Sequence, residues 1–258
     1  MIISKKNIVP GKEGQGSCDC FRFRQFTVRQ ELCGMKVGTD GTLLGAWAHG
    51  GERILDVGTG TGLIALMMAQ RYQDAQVVGI DIDDGAVAQA IENVAASPFA
   101  ERIDILKCDF TLTSQISPLT THLSPHTSHP SPLTSPFNTI VCNPPFFVAS
   151  LKSPDAQRSL ARHADTLPYR RLMERSWQLL SDDGELSVVV PTDSCERMES
   201  EAVLAGFFKC RDCAVSTAPG KAPKRHLLAF RKHPTALERS VLTIGSTDYV
   251  ELTKEFYL

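Results

Sequence analysis

The stretch Arg53-Ile-Leu-Asp-Val57-Gly58-Thr-Gly60-Thr-Gly62-Leu63-Ile-Ala-Leu-Met-Met-Ala69 decides the fold. Its first five residues form a short apolar run with one acid, the pattern of a buried parallel-type strand. Three glycines at alternate positions follow, then an apolar helical run. A strand that turns through glycines into a helix is the first half of a βαβ unit. Glycine lets backbone approach a ligand closely, and a helix N-terminus favours a negative group such as a carboxylate. The spacing is not G-x-G-x-x-G, so a dinucleotide pyrophosphate is not the best fit.

Working outward, the alternation repeats. Gln76-Val-Val-Gly-Ile80 reads as a second strand ending in Asp81-Ile82-Asp83, with a helix from Asp84 to about Ala96. Arg102-Ile-Asp-Ile-Leu-Lys107 reads as a third, ending in Cys108-Asp109-Phe110. Asn138-Thr-Ile-Val-Cys142 is a fourth and Glu185-Leu-Ser-Val-Val-Val190 a fifth. Helices are expected over Leu167–Leu180 and, capped by Thr192, up to Leu204. Phe207–Val215 and Arg225–Arg231 then form a hairpin-like antiparallel addition. Strands alternating with helices predict an α/β fold. The sheet is mainly parallel and seven-stranded, with helices on both faces and an antiparallel strand near the C-terminus.

The N-terminal part is different. Residues 1–17 are polar and expected to fray. In residues 18–32, Phe21, Phe23 and Val28 alternate with Arg22, Arg24 and Arg29, predicting one or two strands with a basic outer face. Thr39 or Asp40 is placed to cap a helix running from Thr42 to Ala48. The expected organisation is an N-terminal extension, 1–34, packing on a core domain, 35–258. Within the latter, residues 111–136 are almost wholly Ser, Thr, Pro, His and Leu, and are expected to be disordered.

Asn143-Pro144-Pro145-Phe146 closes the fourth strand. Two prolines cannot donate to a sheet, so the strand must stop there. The turn offers an amide oxygen, a free carbonyl and an aromatic ring. Asn143 Oδ1 and the Pro144 carbonyl can accept the two hydrogens of a planar amino group while Phe146 stacks on its face, although a Phe146 buried in the core fits the same residues. Asp81 is placed to hold ribose hydroxyls and Asp109 to accept from an adenine amino group. All lie at the carboxyl edge of one sheet, where open α/β proteins bind ligands.

Composition sets limits. Net charge is −2 with 22% charged residues, so nucleic-acid contact must come from local patches rather than bulk charge. Three are present: Arg22, Arg24 and Arg29; Arg158, Arg162, His163, Arg170, Arg171 and Arg175; Lys221, Lys224, Arg225, Arg231 and Lys232. No apolar run is long enough to span a membrane and no signal segment is evident, so a cytoplasmic protein is expected. Cys18-x-Cys20 and Cys210-x-x-Cys213 are the only close cysteine pairs, and packing explains them better than a metal. No metal is expected.

Asp56-x-Gly58-x-Gly60-x-Gly62, the two strand-end acids and Asn143-Pro-Pro-Phe146 resemble class I S-adenosylmethionine methyltransferases of the N6-adenine or glutamine-N5 type. Phe23-Arg-Gln-Phe-Thr-Val-Arg-Gln30, Met35-Lys-Val-Gly-Thr-Asp-Gly-Thr-Leu-Leu-Gly-Ala-Trp47, Ala161-Arg-His163 and Leu252-Thr-Lys-Glu-Phe-Tyr-Leu258 are similar to the bacterial tRNA1(Val) (adenine-37-N6)-methyltransferases. The resemblance covers nearly the whole chain except 111–136. It implies a Rossmann-like fold and S-adenosyl-L-methionine as cofactor. It also implies methylation of an exocyclic adenine N6 in tRNA, at adenine 37 of tRNA1(Val).

Carried over residue by residue, Gly58, Gly60 and Gly62 surround the methionine moiety, and Asp56 is a further cofactor-binding residue. Asp81 binds the ribose and Asp109 the adenine. Lys36, Gly38, Thr39 and Asp40 line the cofactor mouth, and Asn143, Pro144 and Phe146 hold the target base. Arg22, Arg24, Arg29, Arg162, Arg170, Arg171, Lys224 and Arg225 are the expected RNA contacts. A monomer without an obligate protein partner is expected. Alternatives are a glutamine-N5 protein methyltransferase, a DNA adenine-N6 methyltransferase and a non-catalytic RNA-binding protein on the same fold.

Overall fold

A computed structural model describes residues 19–34, 36–112, 136–145 and 167–257. Cys18, Phe146, Arg162, the Ala161–His163 element and residues 113–135 of the Ser/Thr/Pro/His stretch lie outside the described residues.

The element order follows the sequence alternation. A short ribbon, β1 (Cys20–Arg22) and β2 (Thr27–Arg29), precedes α1 (Thr39–Trp47). Then come β3 (Arg53–Val57), α2 (Leu63–Arg71), β4 (Gln76–Asp81), α3 (Asp84–Ala95) and β5 (Ile103–Lys107). After these come β6 (Phe137–Cys142), α4 (Tyr169–Leu179), β7 (Leu180–Pro191), α5 (Cys195–Leu204) and β8 (Phe208–Ser216). The chain ends with β9 (Arg225–Arg231), β10 (Glu238–Thr243) and α6 (Thr247–Thr253).

Eight of these strands make one sheet in the order β5-β4-β3-β6-β7-β9-β8-β10. Every neighbouring pair is parallel except those of β9, which is antiparallel to both β7 and β8. The expected mainly parallel α/β sheet is therefore present, with one strand more than expected. The addition is β10, which pairs parallel with β8 at the sheet edge. Its first four residues are exposed and only Leu242 is buried, so Glu238–Thr243 carries no apolar alternation for a reader of the sequence to find.

Two apolar layers cover the faces. Ile54, Val141 and Val189 point to a core filled by α1, α2 and the ribbon, including Leu43, Leu66, Phe23 and Phe256. Leu55, Val57, Ile140, Cys142, Val188 and Val190 point to a second core, closed by Leu172 and Met173 of α4 and Met198 of α5. The period-2 alternation assigns each strand residue to one side.

Two caps differ from expectation. Helix α1 starts at Thr39 with Gly38 as N-cap and no capping side chain, so Thr39 and Asp40 lie inside its first turn. Thr192 opens a 3-10 turn, Thr192–Ser194, ahead of α5, and its hydroxyl donates to the Pro223 carbonyl at 2.9 Å. Asp182-Asp183-Gly184 form an excursion within β7: Phe137 faces Leu180, and two residues later Thr139 faces Glu185.

Candidate active site at the carboxyl edge

Strand register sets the site. Val57 pairs with Ile80 on one side and with Cys142 on the other. The residues that follow are Gly58, Asp81 and Asn143, so the glycine turn, the acid and the amide stand in adjacent strands at one level. Neighbouring strands are roughly 4.8 Å apart. Asp109 follows β5 on the far side of β4.

The turn is built on left-handed backbone. Gly58, Gly60 and Gly62 have φ of 71°, 57° and 80°. A Cβ on Gly58 would meet nothing within 4 Å, so the loop opens onto free space there. Two carboxylates fix its shape from inside. Asp56 is fully buried, and its Oδ2 accepts from Thr59 Oγ1 at 2.7 Å and from the Ala65 amide at 3.1 Å. Its Oδ1 is buried with no hydrogen-bond partner. Burial pushes its carboxyl up to about 7, against the pull of the Thr59 and Ala65 bonds. Asp81 Oδ2 accepts from the Gly60 amide at 2.9 Å, and its Oδ1 accepts from the Asp83 amide at 3.0 Å. Asp109 Oδ1 accepts from the amide and the hydroxyl of Thr111, at 2.8 and 2.7 Å.

Asn143 is half-buried beside α1. A Cβ on Gly41 would lie 3.8 Å from its Nδ2 and 3.3 Å from Leu63 Cδ2. Asn143 Oδ1 is buried and accepts no hydrogen bond. A buried amide oxygen without a donor is costly unless a ligand group meets it. Pro144 is buried and Pro145 half-buried, so the turn is held by packing as well as by its rings.

Residues 29–34 and 36–41 lie along this edge. At one end Asn93 of α3, 1% exposed, accepts from the Arg29 amide at 2.8 Å. It also donates to the Arg29 carbonyl at 2.9 Å and to the Thr61 carbonyl at 2.8 Å. Gln89 accepts from the Leu32 amide at 3.0 Å. Cys33 Sγ then comes within 3.8 Å of the Cβ position of Gly60, Gly41 meets Asn143, and Asp40 reaches β9. Sequence reasoning missed Gln89, Asn93 and Cys33. Gln89 and Asn93 share a helical stripe with Ala86 and Ala90, and polar residues on a buried stripe were the available signal.

Several expected contacts are committed within the chain. Lys36 pairs with Asp19, and Arg29 with Glu92. Arg24 Nε donates to the Tyr257 carbonyl at 2.5 Å. Arg170 and Arg171 both pair with Glu174, at 2.8 and 2.9 Å. Arg225 Nε donates to Asp40 Oδ2 at 2.8 Å. Arg22 and Lys224 are exposed, and Thr39 is half-buried at the start of α1. Cys210 and Cys213 are buried on β8, and no group of three metal-ligating side chains occurs among the described residues. A hollow of about 310 Å³ lined by Val203, Phe207 and Phe208 lies at the opposite, amino edge of β8 and shares no residue with the site.

The glycine turn, strand-end acids and sheet order define a class I methyltransferase fold. Residues 54–122 match a family described as "Methyltransferase domain". Among solved structures, a predicted O-methyltransferase from Agrobacterium tumefaciens shares the fold. It has a TM-score of 0.58 at 20% identity and covers 84% of this chain and 96% of that one. A tRNA1(Val) (adenine(37)-N6)-methyltransferase of Bacteroides thetaiotaomicron is 44% identical over 247 residues, covering 92% of this chain and 97% of its own. One of Porphyromonas gingivalis is 42% identical over 255 residues, covering 93% and 95%. The chain belongs to the family of tRNA1(Val) (adenine(37)-N6)-methyltransferases.

The residues present fit S-adenosyl-L-methionine. A left-handed glycine turn open at Gly58 and a half-exposed carboxylate at Asp81 offer backbone approach and a hydroxyl acceptor side by side.

Proposed function

We propose that this enzyme methylates the exocyclic N6 of adenine 37 in tRNA1(Val), using S-adenosyl-L-methionine. Relatives at 39–44% identity that are tRNA1(Val) (adenine(37)-N6)-methyltransferases support the substrate. The observation that carries the chemistry is Asn143, whose buried Oδ1 lacks a donor beside the open glycine turn.

When bound, the cofactor supplies an electrophilic methyl carbon on a sulfonium. The chain supplies alignment and exclusion of water. An adenine amine is a poor nucleophile because its lone pair is delocalised into the ring. Asn143 Oδ1 and the Pro144 carbonyl accept its two N–H groups, favour a pyramidal nitrogen and stabilise the positive charge that grows on it. Two prolines in succession restrict the backbone of this turn, so little entropy is lost in aligning it. Asp81 holds the ribose and Asp109 the adenine of the cofactor. Phe146, outside the described residues, is assigned to the target base by the family resemblance alone. A base in an anticodon loop leaves its stack more readily than one in a duplex.

Lys221 and Lys224 lie on the β8–β9 loop, whose Pro223 and Lys224 carbonyls bond Thr192 just beyond β7. They are exposed at the same edge as Asn143 and suit tRNA phosphates, as does exposed Arg22. No described helix is long and apolar enough to cross a membrane. We place the reaction in the cytoplasm, carried out by a monomer.

The test is transfer of labelled methyl groups to tRNA1(Val) transcripts carrying adenine or guanine at position 37, followed by nucleoside mass analysis. N6-methyladenosine from the first alone is expected. Equal label in both transcripts, or label only in protein, would refute the proposal.

A further inference from the structure

Arg225 stands in the basic β8–β9 segment, yet its guanidinium is occupied. Nε donates to Asp40 Oδ2 at 2.8 Å and Nη1 to the Lys224 carbonyl at 2.9 Å. The partner, Asp40, is in the first turn of α1, 185 residues away in sequence.

The two ends of α1 are held differently. At the C-terminal end, Arg71 donates to the Gly45 and Ala48 carbonyls at 2.9 and 2.7 Å. Tyr72 donates to the Ala48 carbonyl at 3.2 Å, and Arg211 lies over the Trp47 ring at 3.8 Å. At the N-terminal end Gly38 provides no capping side chain. Among the described residues, the ion pair with Arg225 is the side-chain tie that joins this turn to the sheet. The next residue is Gly41, whose Cβ position lies 3.8 Å from Asn143 Nδ2.

We propose that Arg225 is a positioning residue: through Asp40 it holds the first turn of α1 against Asn143 and so fixes the amide that accepts the target amine. Its task is not to contact phosphate. The Asp40 carboxylate reaches β9, three strand spacings from β3, on the side away from Asp81 and Asp109. Asp40 therefore acts on the acceptor side of the site. The pair is partly exposed, so it adds little to stability and its effect falls on alignment. A displacement of the amide of about 1 Å is enough to cost up to 100-fold in rate.

This inference rests on Asn143 being the amine acceptor. The experiment is a double-mutant cycle of Arg225→Gln and Asp40→Asn. It reads kcat, KM for tRNA at two salt concentrations, and thermal midpoint. Each single variant is expected to lose about 10-fold in kcat, with KM for tRNA within about two-fold. The double variant loses no more than the worse single, and Arg225→Lys recovers part of the loss. Additive losses would overturn the proposal, as would unchanged kcat. So would a rise in KM confined to Arg225→Gln with a shallower salt dependence, which is the signature of a phosphate ligand. If the wild-type enzyme transfers no methyl group to tRNA, the functional reading has failed, and amide exchange at Gly41 and Thr42 still judges the pair. Faster exchange in both single variants supports it, and unchanged exchange overturns it.

Discussion

Replacing Asn143 by alanine separates chemistry from folding and from cofactor binding. The side chain places one acceptor, Oδ1, in a buried position where no described residue donates a hydrogen bond to it. A hydrogen bond to a centre gaining positive charge is worth about 1.5–3 kcal/mol. At 1.36 kcal/mol per decade, its loss lowers kcat by about 10- to 150-fold. The same truncation removes an unsatisfied buried acceptor, whose desolvation costs about 1–3 kcal/mol in the unliganded protein. Asn143→Ala should therefore melt at the wild-type temperature or a few degrees higher, since about 1 kcal/mol shifts a chain of this size by roughly 2–4 °C. The glycine turn and its carboxylate braces are untouched, so affinity for S-adenosylhomocysteine should stay within about two-fold, which is under 0.5 kcal/mol.

Single-turnover transfer to tRNA, titration calorimetry and a thermal scan read the three quantities on one preparation. A kcat within three-fold of wild type would refute the assignment of Asn143. A melting temperature lowered by more than about 5 °C would show that the amide is structural, because relief of an orphan acceptor cannot destabilise. A ten-fold loss of cofactor affinity at normal saturated turnover would place the residue on the donor side.

Three further outcomes follow from buried polar groups. Glu185 is 3% exposed and accepts from Arg211 at 2.5 Å and Arg231 at 3.1 Å. Glu185→Gln should cost about 3–5 kcal/mol and lower the melting temperature by roughly 10 °C, and a fall under 3 °C would refute this. Burial alone would raise its carboxyl, but Arg211, His49 and Arg231 outweigh that and hold it low, so its stabilisation is present at neutral pH and is lost on acidification. Asp56 behaves oppositely. Its folded value is raised to about 7, so its contribution is full below about 4 and disappears as pH rises through about 7, with a slope of at most about 1.4 kcal/mol per pH unit. Asp56→Asn should flatten that part of a stability–pH curve measured by denaturant titration, and an unchanged slope would show that Asp56 titrates normally. Asn93→Ala removes three hydrogen bonds that join the Arg29 backbone to the Thr61 carbonyl. It should speed amide exchange in both β2 and the glycine turn; exchange altered in only one of them would disprove the coupling.

Strands β3, β4, β6 and the second half of β7 were legible in the sequence because parallel strands buried on both faces are near-continuous apolar runs, and edge strand β5 because its apolar residues recur between Asp104 and Lys107. The glycine turn and the acids at 81 and 109 were legible because a strand end followed by a helix allows few placements. Partnering was not. Lys36, Arg24, Arg29, Arg170, Arg171 and Arg225 read alike as surface cations, and only tertiary structure shows that each already has an acceptor. Asp40 was placed at the cofactor mouth, whereas its carboxylate turns to β9, because a helix residue's direction depends on where the helix starts, and α1 starts three residues before Thr42. Edge strand β10 escaped because one buried leucine makes no pattern.

The register between β3 and β6 explains why donor and acceptor chemistry meet. Val57 opposite Cys142 leaves the open glycine of one strand and the amide of the next side by side. A slip of one residue would turn Asp56 from the face under α2 to the opposite core and swing the Asn143 side chain to the other face. The register is fixed by burial: Leu55, Val57, Ile140 and Cys142 all belong to one core, and Ile54 and Val141 to the other. Residues 29–34 and 36–41 then line the assembled row from above, tied to Asn93 at the α3 end and to Arg225 at the β9 end. Stability and catalysis are thus divided between layers. The cores hold the strands level, and a few polar ties outside them join the segment above the row to α3 and β9.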